Sequence, residues 1–226
     1  MREKIIKELK GSGCQERAEA DKKYHKSNRE HWGVPVPISA EIARKYSKEL
    51  DQSQLIELSK ALWANNQYDS MICAGKILCL SKVEPSEELW RTLVGFLENV
   101  NGWALEDNLA HVAWKCILAD ETRLHQVETW TQHPNFWMRR AALVYTLPYA
   151  KPKRDPERML KWAGGYAAEN EWFIQKAIGW WLRVLGAHNP ERVIQFLEEH
   201  WVNLKGVAKK EATRKLDPDT LRRLEK

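Results

Sequence analysis

The sequence predicts an all-α protein built from stacked helix pairs. Three observations predict it. Apolar residues recur at helical spacing almost everywhere and alternate at strand spacing almost nowhere. Helix-start signals stand before the apolar runs. One apolar pattern returns four times, at intervals that a helix pair would fill.

In chain order, MREKIIKELK carries charge throughout and lacks the apolar centre of a signal peptide. Gly33-Val34-Pro35-Val36-Pro37 is the only extended stretch, and it reads as a turn or linker because proline cannot donate into a ladder. Leu55, Leu58, Ala61 and Leu62 keep the i, i+3, i+4 spacing of an amphipathic helix. So do Leu89, Leu93, Phe96 and Leu97, and later Val193, Phe196 and Leu197. Ser39, Ser53, Ser86 and Asn189-Pro190 stand where a side-chain oxygen can accept from the first-turn amides of the helices that follow. The count comes to about twelve or thirteen helices joined by short loops.

The repeated pattern is YDSMICAGKIL around Ala74, WALEDNLAHVAW around Ala110, NFWMRRAALVY around Ala141 and EWFIQKAIGWW around Ala177. Large apolar residues precede a small alanine that lets a neighbouring helix come close. The steps of 36, 31 and 36 residues suit a two-helix unit. The expected architecture is an α-α superhelix, a curved solenoid whose concave groove is lined by the second helix of each pair. One domain is expected over 1–226, with N-terminal helices and a turn over 1–37, repeats over 38–216 and a tail over 217–226. Gly206 and Asp217-Pro218 fence off that tail.

Composition narrows the function. With 43% hydrophobic and 30% charged residues the chain is globular rather than disordered. Cys14, Cys73, Cys79 and Cys116 form no C-x-x-C pair and no zinc-like spacing with His, so ordinary free thiols of a reducing compartment are expected. No run of about 18 apolar residues occurs, which excludes a membrane helix and leaves a cytoplasmic protein as the expectation. The net charge of +5 suits nucleic acid without demanding it. The nucleotide, zinc and hydrolase motifs H-E-x-x-H, G-x-x-x-x-G-K-[ST], G-x-S-x-G and G-x-G-x-x-G are all missing. No metal, no cofactor and no oligomer is expected.

The unusual number is twelve Trp. Trp103 and Asp107 are four apart, an indole and a carboxylate on one helical face. Arg140 and Trp180 fall in the next two copies of the repeat, where a solenoid would align them with the first pair. Singly, each has a plainer reading: Asp107 as a helix N-terminal acid, Arg140 paired with Glu106, the indoles as core. Together they suit cleavage of an N-glycosidic bond. A carboxylate stabilises the cationic sugar, indole faces attract its polarised C–H surface, and a guanidinium clamps a phosphate. A cationic alkylpurine is already a good leaving group, so no strong general acid is needed.

These residues carry a resemblance. The chain resembles the AlkD family, DNA alkylation repair glycosylases with HEAT-like repeats. The similar stretches are YHKSNREHWGVPVP (24–37), LWANNQYDSMICAGKIL (62–78), GWALED (102–107), NFWMRRAAL (135–143), EWFIQKAIGWWLR (171–183) and VAKKEATRKL (207–216). The Phe173-to-Trp180 run is the most specific. The resemblance implies excision of positively charged alkylpurines such as 7-methylguanine and 3-methyladenine from double-stranded DNA, bulky adducts included, without base flipping. It also implies roles for single residues. Asp107 would be the catalytic carboxylate, Trp103 and Trp180 would flank the deoxyribose, Arg140 would hold the backbone, and Tyr24 would cap the site. The chain departs from the family pattern at Gly102, Ala104 and His31-Trp32, which bears on substrate range. Lys176, Lys209, Lys210, Arg214 and Lys215 fit a DNA groove. Two other readings use the same features: a non-catalytic module for damaged or structured DNA, and a helical scaffold for a partner peptide.

Overall fold

Several helices of this chain open on a side chain that accepts from an otherwise unpaired first-turn amide, at Asp51, Gln67, Ser86, Asn135, Glu171 and Asn189. The computed structural model describes residues 1–217 together with Arg222 and Leu224. The rest of the expected tail lies outside the described residues. The described residues form thirteen α-helices and no strand. They are α1 (Arg2–Ser12), α2 (Gln15–His25), α3 (Val36–Ser47), α4 (Gln52–Trp63), α5 (Tyr68–Leu78), α6 (Glu87–Glu98) and α7 (Trp103–Ala119). After these come α8 (Leu124–Trp130), α9 (Phe136–Val144), α10 (Glu157–Gly165), α11 (Trp172–Gly186), α12 (Pro190–His200) and α13 (Gly206–Ala212). No helix of the described residues is long and apolar enough to cross a membrane.

Two of the four expected start signals act as caps. Ser86 Oγ accepts from Leu89 N at 3.1 Å to open α6, and Asn189 Oδ1 accepts from Arg192 N at 3.2 Å to open α12 behind Pro190. The other two do not. Ser53 lies inside α4, because Asp51, two residues earlier, forms a reciprocal capping box with Gln54: Gln54 N donates to Asp51 Oδ1 at 2.9 Å and Asp51 N to Gln54 Oε1 at 3.0 Å. Ser39 is buried within α3, which starts at Val36. The stretch expected as a linker is therefore half helix. A proline in the first turn loses no hydrogen bond and brings a helical φ, so Pro37 starts the helix rather than preventing it. Gly33 makes the turn before it with φ +74.

Contacts divide the chain into two units, Met1–Glu121 and Thr122–Lys226. In the first, α3, α5 and α7 lie side by side, with α4 packed on α5 and α6 on α7. In the second, α9, α11 and α13 lie side by side, with α8 packed on α9 and α12 on α11. The all-α fold of helix-pair repeats expected from the sequence holds in both. Ala74, Ala110, Ala141 and Ala177 are all buried, as close helix packing requires.

Two close approaches between packed helices fall on glycines near two of those alanines. A Cβ on Gly75 of α5 would lie 2.0 Å from Asn108 Nδ2 of α7. A Cβ on Gly179 of α11 would lie 2.6 Å from Glu211 Cβ and 2.9 Å from the Ala208 carbonyl oxygen, both of α13. Gly179→Ala must push two helices apart and is expected to cost about 1–3 kcal/mol of stability. Gly95→Ala, on α6 with nothing within 4 Å of the added carbon, is expected to gain about 0.5–1 kcal/mol. Urea unfolding midpoints of the two variants check the contrast, and a Gly179→Ala protein as stable as wild type would refute the packing argument.

Candidate functional site

The rotation of α7 about its own axis decides what its first turns present. Leu105, Leu109, Val112 and Cys116 are buried on one face. Asn108 joins them, with its Nδ2 donating to the Ile72 carbonyl of α5 at 3.1 Å. Trp103 and Asp107 are thereby left half-exposed on another face, in line with His111 and Trp114. Trp103 is the first residue of α7 and Asp107 the fifth, so the carboxylate sits near the positive end of the helix dipole. Glu106 beside it is fully buried.

Trp103 is met by two rings from the last turn of α2. Tyr24, 68% exposed, stands edge-on with centroids 5.4 Å apart and planes at 88°. His25 lies 5.5 Å away at 66°. The structure thus brings Tyr24 and Trp103 together. It also brings in His25, Tyr68 and Asp69, which the sequence does not single out, beside His31, one of the departures from the family pattern. His25, His31 and Tyr68 stack against one another, with His31 and Tyr68 centroids 4.1 Å apart at 10°. Asp69 is buried and accepts from Trp32 N at 2.7 Å, Val34 N at 2.9 Å and Gln67 Nε2 at 3.1 Å. Asp69 pins the Gly33 turn to α5. The one signal in the sequence was an acidic residue in the first turn of a largely apolar repeat segment. Burial pushes the Tyr68 hydroxyl well above the usual phenol range. Burial pushes both histidines below their ordinary value, reinforced at His25 by the charge of His31 and opposed at His31 by the bond to the Arg29 carbonyl.

In the second unit Arg140 of α9 is only 3% exposed, with its Cζ 6.0 Å from the Trp137 ring. Its neighbour Arg139 is committed to loop contacts. It pairs with Glu169 at 3.0 Å and donates to the His133 carbonyl at 2.8 Å. On α11, Trp181 is buried while Trp180 lies half-exposed on a stripe with Trp172, Lys176 and Arg183. Lys176 Nζ is 2.5 Å from Glu211 Oε1, and Arg183 Nη1 and Arg214 Nη1 are 2.7 and 3.4 Å from Glu211 Oε2. Lys176 and Arg214, expected on DNA, thus share a carboxylate within the protein. The Lys176 hydrogen bond, above the other cations, holds the Glu211 carboxyl below the usual range. Lys209 Nζ sits 4.7 Å over the Trp201 ring, and Lys210 is exposed.

All four cysteines are free, and burial pushes the Cys73 thiol up to about 12, which leaves it unreactive. Among the described residues no three His, Cys, Asp or Glu side chains gather to hold a metal ion.

Comparison with known proteins adds a family. The sequence profile described as DNA alkylation repair enzyme matches residues 5–216. The chain belongs to this family. Solved structures resemble it throughout. One described as a predicted DNA alkylation repair enzyme from Enterococcus faecalis has 23% identity and a TM-score of 0.76, covering 92% of this chain and 98% of its own. AlkD2 from Streptococcus mutans has 19% identity and a TM-score of 0.63, covering 88% and 97%. The protein smu.31 from Streptococcus mutans UA159 has 18% identity and a TM-score of 0.62, covering 80% and 93%. At these identities the likeness shows a shared fold. No curated protein matches the chain. This DNA alkylation repair family member therefore shares an all-α repeat fold with the three.

The Glu211 cluster has a consequence for stability. A carboxyl lowered in the folded state stabilises the fold above its unfolded pKa, and that contribution disappears as pH falls through the folded value. Glu211→Gln is expected to be less stable than wild type by about 2 kcal/mol at neutral pH. The gap should close below about pH 4.3, the ordinary Glu value. Urea midpoints measured from neutral to acid pH test this, and a gap independent of pH would exclude a charge effect.

Proposed function

We propose that the chain is a DNA glycosylase that hydrolyses the N-glycosidic bond of positively charged alkylpurines, of the 7-methylguanine and 3-methyladenine type, in double-stranded DNA. The observation that carries this reading is the half-exposed pair Trp103 and Asp107 on one face of α7, with Tyr24 edge-on to the indole, in a chain of the DNA alkylation repair family. The reaction is the first step of base excision. Water adds to the sugar C1′ and gives up a proton to solvent, the C1′–N bond breaks, and its electron pair neutralises the cationic base. Asp107 stabilises the positive charge that develops on the sugar and orients the water. The indole of Trp103 presents its negative face to the same polarised C–H surface.

In the second unit Trp180 is assigned to the sugar and Arg140 to the backbone, as the family resemblance implies. Lys176, Lys209, Lys210 and Arg214 are assigned to phosphates. Of these, exposed Lys210 is the most available, while Lys176 and Arg214 would exchange or share their Glu211 contact with DNA. Recognition by charge and lability fits catalysis without base flipping, with the protein acting as a cofactor-free monomer in the cytoplasm. It also fits tolerance of bulky adducts.

Asp107→Asn is expected to lower single-turnover release of 7-methylguanine from duplex DNA by about 3 kcal/mol, some hundredfold, while DNA affinity holds. Unchanged release in that variant would remove Asp107 from the mechanism. Salt-sensitive DNA binding by the wild type with no base release would favour the non-catalytic DNA-binding module instead. Lys210→Ala is expected to reduce the log–log salt slope of DNA binding by about one, and an unchanged slope would take Lys210 off the phosphates.

A further inference from the structure

The two rings that meet Trp103 come from a helix that buries no side chain. A helix without an apolar face is held by something other than the hydrophobic effect. At the C-terminal end of α2 that holding falls to the column of His25, His31 and Tyr68. Lys26 ends the helix with φ 51, which turns the chain back toward the column.

Hydrogen bonds run through the column in one direction. His31 Nδ1 lies 3.1 Å from the Arg29 carbonyl oxygen, which can only accept, so this nitrogen carries the proton and Nε2 is bare. His25 Nδ1, 3.4 Å from that bare nitrogen, donates to it. His25 Nε2 is then bare and accepts from the Tyr68 hydroxyl at 3.3 Å. Both imidazoles are neutral in this arrangement, and all four ring nitrogens have a partner. A proton added to His31 Nε2 would face the N–H of His25. One added to His25 Nε2 would turn that nitrogen into a donor, and the Tyr68 hydroxyl would have to rotate to accept from it. The first addition breaks the chain and the second reverses its last link.

The charges around the column do not reverse this. From α2, Asp21 favours a cation while Arg17 opposes it at His25 and Lys22 at His31. From α5, Asp69 favours a cation, but its oxygens already accept from Trp32 N, Val34 N and Gln67 Nε2. From the intervening loop, Arg29 offers its carbonyl to His31, while its guanidinium is tied to Asn66 Oδ1 and the Asn99 carbonyl. From α7, the contact is the Trp103 ring itself. Burial outweighs the two acids at both histidines.

We propose that His25 is a positioning residue whose neutral ring, held by His31 and Tyr68, sets Trp103 and Tyr24 for the substrate, so that the site loses order when the histidine pair takes up a proton. The activity arm of the test rests on the glycosylase reading and the structural arm does not. For a histidine kept neutral by the fold, order is complete above the ordinary His value of about 6.5 and is lost as pH falls below it.

The structural arm follows the imidazole resonances of His25 and His31 and the indole N–H resonance of Trp103 by NMR on the full chain, from about pH 8 to pH 5. Single substitutions provide the assignments. The Trp103 resonance is expected to move with the midpoint of the histidine pair and to lose that movement in His25→Phe. A Trp103 signal that stays fixed while His25 titrates in wild type overturns the proposal, whatever the variants do. The activity arm measures single-turnover release of 7-methylguanine over the same range. Wild-type release is expected to fall about tenfold per pH unit below the midpoint. His25→Phe and His25→Gln, which cannot take the charge, are expected to stay within about twofold across it. The same profile in all three proteins overturns the proposal. No release at any pH instead overturns the glycosylase reading, and the NMR arm alone then decides the role of His25.

Discussion

Asn108 lies against Gly75, its amide donating to the Ile72 carbonyl, and the helices α5 and α7 can approach this closely only because position 75 has no side chain. With Asn108 turned inward the helix has one possible rotation. Leu105, Leu109 and Val112 follow it into the core, and Trp103 and Asp107 are carried to a partly open face. The second unit repeats the device with other atoms. Gly179 lets α11 approach α13, which takes Trp181 inward and leaves adjacent Trp180 half-exposed. Neighbouring indoles on one helix thus have opposite environments, and a glycine contact decides which is which.

Beside and beyond those contacts, polar groups do the attaching, and they do it in three ways. Glu211 gathers Lys176, Arg183 and Arg214. Asp69 gathers the two backbone N–H groups of Trp32 and Val34, which flank the Gly33 turn, and fixes the chain between α2 and α3. The His25–His31–Tyr68 column uses uncharged rings and a directional hydrogen-bond chain. Buried polar arrangements of this kind hold only while every member is satisfied. Apolar packing changes little with pH, whereas the Glu211 cluster and the histidine column depend on a protonation state. The parts of the chain nearest Trp103 and Trp180 therefore respond to solution conditions more than the helix-pair core does.

Much of this was legible in the residues. Helical spacing, the caps at Ser86 and Asn189, and the four alanines at regular intervals gave the fold class and the pairing of helices. The caps at Ser39 and Ser53 were misread, since a serine before an apolar run is only one of several competing caps. Asp51 with Gln54 satisfies two backbone groups at once, and proline at position 37 favours an earlier start. The shared face of Trp103 and Asp107 followed from their spacing alone. The placement of Tyr24 against Trp103 did not, because the two lie on different helices and only the family resemblance linked them. Nothing local marked His25 and His31 as a pair, and nothing local tied Lys176 and Arg214 to Glu211.

By itself the sequence determined the all-α class, the helix-pair period, the absence of familiar metal and nucleotide motifs, and the indole–carboxylate face of α7. All of these depend on spacing within one helix or on recurrence along the chain, which local geometry translates directly into structure. Only the tertiary structure decided how α7 and α11 are rotated, which basic residues have an acid beside them, and that two histidines and a tyrosine hold the end of α2. Those outcomes depend on which distant side chains meet after the helices pack, and contact between remote residues leaves no period in the sequence to read.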